Sequence, residues 1–145
     1  MVREIVAGDL DELLRLYLDL HEDRVPGDSP RLRDTWRAIL EDPNHHIFVW
    51  EEAGEIVSSC VCAVIPNLTR NVRPYALIEN VVTRRDCRGR GYARACLARA
   101  TEIAAAAGCY KIMLLTGAKD EGTLDFYRKC GFNSSDKTAF IRWLP

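Results

Sequence analysis

The sequence predicts an α/β protein of the α+β kind: one domain over residues 1–145, a mixed and mostly antiparallel sheet, and about four helices. Three observations carry this. Ala76 to Thr83 reads as a strand, Gly91 to Ala107 as a helix and Cys109 to Thr116 as a second strand. A strand, helix and strand with that crossover length imply a parallel pair joined right-handedly. His46 to Glu51 and Glu55 to Ile65 flank Ala53-Gly54 and read as an antiparallel hairpin. Two segments near the N-terminus place apolar residues at helical spacing, and 145 residues suit a single core.

Met1 to Ala7 alternates weakly and reads as a first strand. Asp9 and Glu12 make a capping-box-like start for a helix carrying Leu10, Leu13, Leu14, Tyr17 and Leu18 through about His21. Asp23 to Asp28 is a loop. Ser29-Pro30 reads as an N-cap followed by proline at the first helical position, and Leu32, Trp36, Ile39 and Leu40 form the stripe of the second helix. After the hairpin, Pro66 to Pro74 is a polar loop. The helix after Gly91 is expected to bury Ala93, Cys96, Leu97, Ala100, Ile103, Ala104 and Ala107, and Gly108 stops it. Asp120 caps a short helix that Gly131 ends. Phe132 to Ser134 and Thr138 to Trp143 are expected to complete the sheet as strands.

Net charge is −1, so the global basic field that nucleic-acid binding needs is missing, and the basic cluster at Arg84 to Arg94 is local. No stretch has the length of a membrane span and the N-terminus lacks an apolar signal region, so a cytoplasmic protein is expected. The six cysteines form no Cys-x-x-Cys pair and have no histidine at zinc spacing; they are expected as small buried thiols, with no metal.

The stretch Ala76 to Ala93 concentrates the chemistry. Leu77, Ile78, Val81 and Val82 suit a buried strand, and Glu79 inside it needs a partner or a task. Arg84, Arg85, Arg88 and Arg90 surround Gly89 and Gly91 where the helix begins. The first N–H groups of a helix have no intrahelical partner and the dipole is positive there. Glycines admit close approach of a ligand to the backbone, and arginines match phosphate oxygens. The junction reads either as a phosphate or pyrophosphate site or as a tight turn in a solvated basic loop. A dinucleotide fingerprint is excluded because Arg94 stands where a third glycine is needed, and no Gly-Lys-Ser/Thr of a Walker-type loop exists.

Arg88-Gly89-Arg90-Gly91-Tyr92-Ala93 resembles the acyl-coenzyme A loop of the GNAT family of N-acetyltransferases: Arg88, Gly91 and Ala93 fill its defined positions. Phe126-Tyr127-Arg128-Lys129-Cys130-Gly131-Phe132 resembles a second segment of that family, and the likeness runs from about Glu55 to Phe132. Local runs such as Ile78 to Val82 and Cys109 to Ile112 look similar to glucosamine-6-phosphate N-acetyltransferases, although those usually carry Asp where Asn80 stands.

The resemblance implies a sheet whose two parallel strands splay apart and an acetyl-coenzyme A co-substrate lying in the gap. It implies pantetheine contacts at Val81, Val82 and Thr83, with a backbone N–H near Val82 polarising the thioester. It places the pyrophosphate on Arg88, Gly89, Arg90, Gly91, Tyr92 and Ala93. Tyr127 is implied as general acid, against a role as a core aromatic; Glu79 as general base, against an ion pair such as one with Arg73. Many relatives carry a coenzyme-contacting Asn where Asp120 stands; an ionised Asp cannot donate a hydrogen bond, so Asp120 is read as a helix cap and not as a coenzyme contact. The implied acceptor is a primary amine of a small molecule, with a homodimer joined through Thr138 to Trp143. A silent coenzyme A-binding regulator is the alternative.

Overall fold

The centre of the sheet is β3 (Glu55–Ile65), buried almost without interruption from Ile56 to Val64 in the computed structural model, which describes residues 1–145. Its β-branched and small residues suit a strand covered on both faces. It pairs antiparallel with β2 (His45–Glu52) and with β4 (Tyr75–Thr83). A short β1 (Val2–Glu4) continues the sheet beyond β2, and β5 (Ile112–Leu114) closes the other edge, parallel to β4. The strand order is β1-β2-β3-β4-β5, with the parallel pair at one side as expected.

The helices are α1 (Leu10–Tyr17), α2 (Pro30–Glu41), α3 (Thr69–Val72), α4 (Tyr92–Ala106) and α5 (Glu121–Lys129). One face of the sheet packs Ile47, Val49, Val61 and Val82 against Leu13 and Leu16 of α1, with Trp36 of α2 alongside. The other face packs Phe48, Cys60, Cys62 and Ile78 against Cys96 and Ala100 of α4. Small residues on α4 let its axis lie close to the sheet. Leu13 and Leu16, 2% and 3% exposed, each contribute about 1.5–3 kcal/mol by leaving water. No helix is long and apolar enough to cross a membrane. The six cysteines are free thiols, four of them buried.

Several local expectations are corrected. The capping box at Asp9 and Glu12 does not form. The Asp9 carboxylate instead accepts the Val6 N–H at 2.7 Å and two Arg3 N–H groups at 2.7 and 3.0 Å, while Glu12 accepts the Ile56 N–H at 2.9 Å. Tying β1 and the hairpin to the start of α1 uses both carboxylates. The 66–74 loop contains the one-turn α3, in which Arg70, Asn71 and Val72 take positive φ. By contrast, Ser29 caps α2 as the sequence suggests, accepting the Leu32 N–H at 3.2 Å.

The largest correction lies at the C-terminus. Neither 132–134 nor 138–143 forms a strand; the sheet ends at β5. Phe132 is held against the end of α5 by its N–H bond to the Tyr127 carbonyl at 3.1 Å. The Asn133 side-chain oxygen then accepts the N–H groups of Ser135 and Asp136 at 3.2 and 3.1 Å, which folds the chain into a turn. Beyond it, Phe140, Ile141, Trp143 and Leu144 stand 66–91% exposed with no strand beside them. Their apolar character suits a strand, but a strand needs a ladder partner and this chain presents none to them.

Candidate active site

The parallel pair is short. Ala76, Leu77 and Ile78 pair with Ile112, Met113 and Leu114, and there the pairing stops. β4 runs on to Thr83 with β3 on one side only, which leaves a gap where β5 has diverged. At this point Asn80 adopts φ +51° and the register to β3 shifts between Ser59 and Val61. A bulge of this kind bends a strand and re-aims its side chains. Ile78 lies in the core on the α4 side, so its neighbour Glu79 faces the α1 side, exposed. Past the bulge Val81 packs toward the α4 side and Val82, 4% exposed, toward α1.

The end of β4 is fixed from beneath. The buried Ser58 hydroxyl lies 2.9 Å from the Val82 carbonyl, to which it donates, and 2.8 Å from the Thr83 hydroxyl. The chain then turns through a short 3-10 segment, Arg85–Cys87, into the glycine loop. Gly89 and Gly91 have φ of +75° and +83°, the left-handed region that favours glycine. Gly91 stands at the N-cap of α4 with no side chain to cap the helix, and the first turn of α4 carries no acidic residue. The leading N–H groups of this helix are therefore turned outward without a protein anion.

The loop arginines are unequally occupied. Arg84 is held at 2.7 Å by both Glu55 and Asp86, and Arg85 lies 3.3 Å from Asp19. Arg90 meets Glu52 at 3.5 Å. Arg88 touches no carboxylate; its Nε donates to the Thr83 carbonyl at 3.2 Å. Tyr92 begins α4, 9% exposed, with its ring stacked on Trp50 at 4.6 Å and its hydroxyl donating to Glu52. That hydrogen bond, with burial second, raises the Tyr92 phenol above its ordinary value. Ala93, half-buried, follows in the first turn. Thus Val81 to Thr83 and Arg88 to Ala93, separated in sequence by a turn, form one continuous rim around the start of α4.

Tyr127 lies on α5 and packs against the α4-side core that contains Ile78 and Cys60. Phe126 and Phe132 flank its ring at 5.1 and 6.4 Å. Burial raises its phenol pKa, with the Cys130 and Cys60 thiols adding to the effect, so it carries its proton at neutral pH. Glu79 and Tyr127 thus lie on opposite faces of the sheet. The pairing of Glu79 with Arg73 does not form: Arg73 donates to the carbonyls of Gly108 and Cys109, both at 3.1 Å. Asp120 spends its carboxylate on the Thr123 N–H at 2.9 Å, capping α5.

Two residues at the bulge escape the sequence reading. Tyr17 occupies the apolar stripe of α1 and looks like core; burial pushes its hydroxyl up to about 12, with the nearby Asn80 side chain opposing the shift. Asn80 carried a signal: Glu79-Asn80 places two polar residues in succession and breaks the strand alternation, as a bulge does.

The parting of β4 from β5 and the glycine loop at the start of α4 agree with the splayed strands and the loop that the sequence resemblance implies. Comparison with known proteins agrees with it. The family model described as Acetyltransferase (GNAT) family matches residues 10–132. Glucosamine 6-phosphate N-acetyltransferase of Trypanosoma brucei brucei is 34% identical over 91 residues, 63% of this chain; the chain spans 60% of that relative's length. Among solved structures, a protein of Agrobacterium tumefaciens str. C58, assigned provisionally as an acetyltransferase, superposes with a TM-score of 0.89 at 41% identity, covering 99% of each chain. A transcriptional regulator of Bacillus halodurans C-125 superposes with a TM-score of 0.86 at 27% identity, again over 99% of each chain. With its loop, its parted strands and the matched span of 10–132 in agreement, this chain belongs to the GNAT family of acetyltransferases.

Proposed function

We propose that the protein transfers an acetyl group from acetyl-coenzyme A directly to a primary amine of a small molecule. The observation that carries this is the conjunction of a β4 edge left open after Ile78 with the uncapped start of α4 and the acid-free Arg88. An open strand edge offers backbone groups to an extended, amide-bearing chain, which suits Val81 to Thr83 as the pantetheine contact. The α4 N–H groups, Arg88 and Arg90 suit a pyrophosphate, and the positive φ at Gly89 and Gly91 keeps the backbone accessible.

Acetyl-coenzyme A supplies an activated acyl group. The protein's part is to orient and to move protons. The backbone N–H near Val82 stabilises negative charge developing on the acyl oxygen. Tyr127, protonated by virtue of its burial, delivers a proton to the departing sulfur. Glu79, exposed and without an ion pair at the bulge, takes the proton that the attacking amine must lose, directly or through water. Tyr17 and Asn80, next to Glu79, form part of the acceptor side.

Calorimetry with acetyl-coenzyme A, followed by a free-thiol assay over amino sugars, polyamines, amino acids and aminoglycosides, tests the reading. Absence of binding at millimolar concentration overturns it. The similarity to the trypanosome enzyme puts glucosamine 6-phosphate first among acceptors. A second reading, a coenzyme A-binding regulator without turnover, draws on the likeness to the Bacillus halodurans protein; tight binding with no acceptor in the screen supports that reading instead. The exposed Phe140, Ile141, Trp143 and Leu144 favour a homodimer in which the tail of each copy joins the other's sheet. Removing residues 138–145 is then expected to give a monomer mass by light scattering.

A further inference from the structure

Glu52, near the end of β2, is the one carboxylate that grips the start of α4 itself. It accepts the Tyr92 hydroxyl, and Tyr92 is the first residue of that helix. The Tyr92 ring also lies nearly parallel to Trp50 of the same strand, tilted 13° at 4.6 Å. The end of β2 thereby holds the helix N-terminus by a hydrogen bond and a stacked pair together. The same carboxylate stands 3.5 Å from Arg90. This is the longest of the loop's arginine–carboxylate contacts, and both side chains remain about half open to water, at 54% and 41%. Arg90 has one further tether, a 3.4 Å bond to the Asp86 carbonyl. Arg84, by contrast, is clasped by two carboxylates at 2.7 Å.

We propose that Glu52 is a positioning residue that sets the affinity of the loop for a pyrophosphate-bearing ligand, by anchoring Tyr92 while competing for Arg90. This rests on the coenzyme reading above. In the free protein Glu52 holds Arg90 loosely beside the loop, which limits charge repulsion among Arg84, Arg85, Arg88 and Arg90. When a polyanion arrives at the start of α4, Arg90 leaves Glu52 for the phosphate oxygens, a more highly charged partner. The carboxylate stays behind, bound to Tyr92, and its negative charge near the anion opposes binding. Glu52 thus favours the site through geometry and tempers it through charge.

The two effects separate chemically. Glu52→Gln keeps an amide oxygen that accepts the Tyr92 hydroxyl and removes the charge. Glu52→Ala removes both. The expected dissociation constant for coenzyme A falls in Glu52→Gln by about two- to five-fold, the range of an exposed ion pair, and rises in Glu52→Ala. The gain depends on Arg90, so Glu52→Gln placed in an Arg90→Gln background is expected to bind no better than Arg90→Gln alone.

The test is calorimetric titration of the full chain with coenzyme A for wild type, Glu52→Gln, Glu52→Ala, Arg90→Gln and the double variant, with circular dichroism establishing that each is folded. Opposite signs for Glu52→Gln and Glu52→Ala, with the gain lost without Arg90, support the proposal. Wild-type binding with Glu52→Gln unchanged or weaker, or a gain that persists without Arg90, overturns it and leaves the coenzyme reading standing. No binding by the wild type overturns both. If Glu52→Ala does not fold, Tyr92→Phe replaces it as the loss-of-anchor variant and is likewise expected to weaken binding.

Discussion

The Ser58 hydroxyl reaches under the sheet to the Val82 carbonyl, 2.9 Å away, and so fixes the strand segment on which the proposed chemistry depends. Val82 lies past the bulge, where β4 has lost its neighbour on the β5 side. Ser58 is fully buried, so its removal leaves a carbonyl lone pair and the Thr83 hydroxyl short of a partner. Ser58→Ala is expected to cost about 1–3 kcal/mol, read by urea denaturation, and to weaken acetyl-coenzyme A binding. An unchanged stability shows that the bond contributes nothing net.

Acetyl-coenzyme A is expected to raise thermal stability. At a hundredfold excess over its dissociation constant the gain is about 2.7 kcal/mol. Gly91→Asp abolishes this shift, because a carboxylate then stands at the helix start where the pyrophosphate belongs. It also strains a backbone at φ +83°, so the variant melts lower even without ligand. Gly91→Asn separates the two effects, since Asn tolerates the left-handed region and carries no charge. A coenzyme-induced shift in Gly91→Asp equal to wild type contradicts the placement of the loop.

Tyr127→Phe keeps the ring and its contacts with Phe126 and Phe132. Stability and coenzyme affinity are expected to change little, while kcat falls by about two to four orders of magnitude with loss of general acid catalysis. Because burial raises the Tyr127 pKa, the acid form persists at neutral and mildly alkaline pH, and the alkaline loss of kcat begins only above the usual tyrosine value. A turnover number unchanged in Tyr127→Phe identifies the ring as packing alone.

Tyr17 makes a prediction for stability rather than turnover. Its hydroxyl titrates near 12 in the folded chain against an ordinary value of 10.0, because burial disfavours the phenolate. Below pH 10 it is protonated in both states. As pH rises from 10 toward 12 the unfolded chain releases the proton first, so stability falls by about 1.4 kcal/mol per pH unit over that window. Tyr17→Phe removes this part of the alkaline decline, visible as a shallower slope of unfolding free energy against pH. An identical slope in wild type and variant refutes the assignment.

Much of this protein is written locally. The Ser29-Pro30 cap, the glycines at 89, 91, 108 and 131 and the small-residue stripe of α4 act through neighbours in sequence, and each stands where the pattern put it, except that Ala107, expected in the stripe, is the exposed C-cap. The rim from Val81 to Ala93 was legible for the same reason: strand, turn and helix start are contiguous, so their adjacency needs no tertiary information. Tertiary contacts decided the rest. Glu12 leaves its local cap because the Ile56 N–H, forty-four residues away, holds it, while Asp9 turns to Val6 and Arg3 just before it. Tyr17 of α1 comes near Asn80 of β4 only in the folded chain, and the grip of Glu52 on Tyr92 spans forty residues. Residues 138–143 have the apolar character of a strand and form none, because apolar side chains favour burial, whereas a strand exists only where another backbone offers its hydrogen bonds.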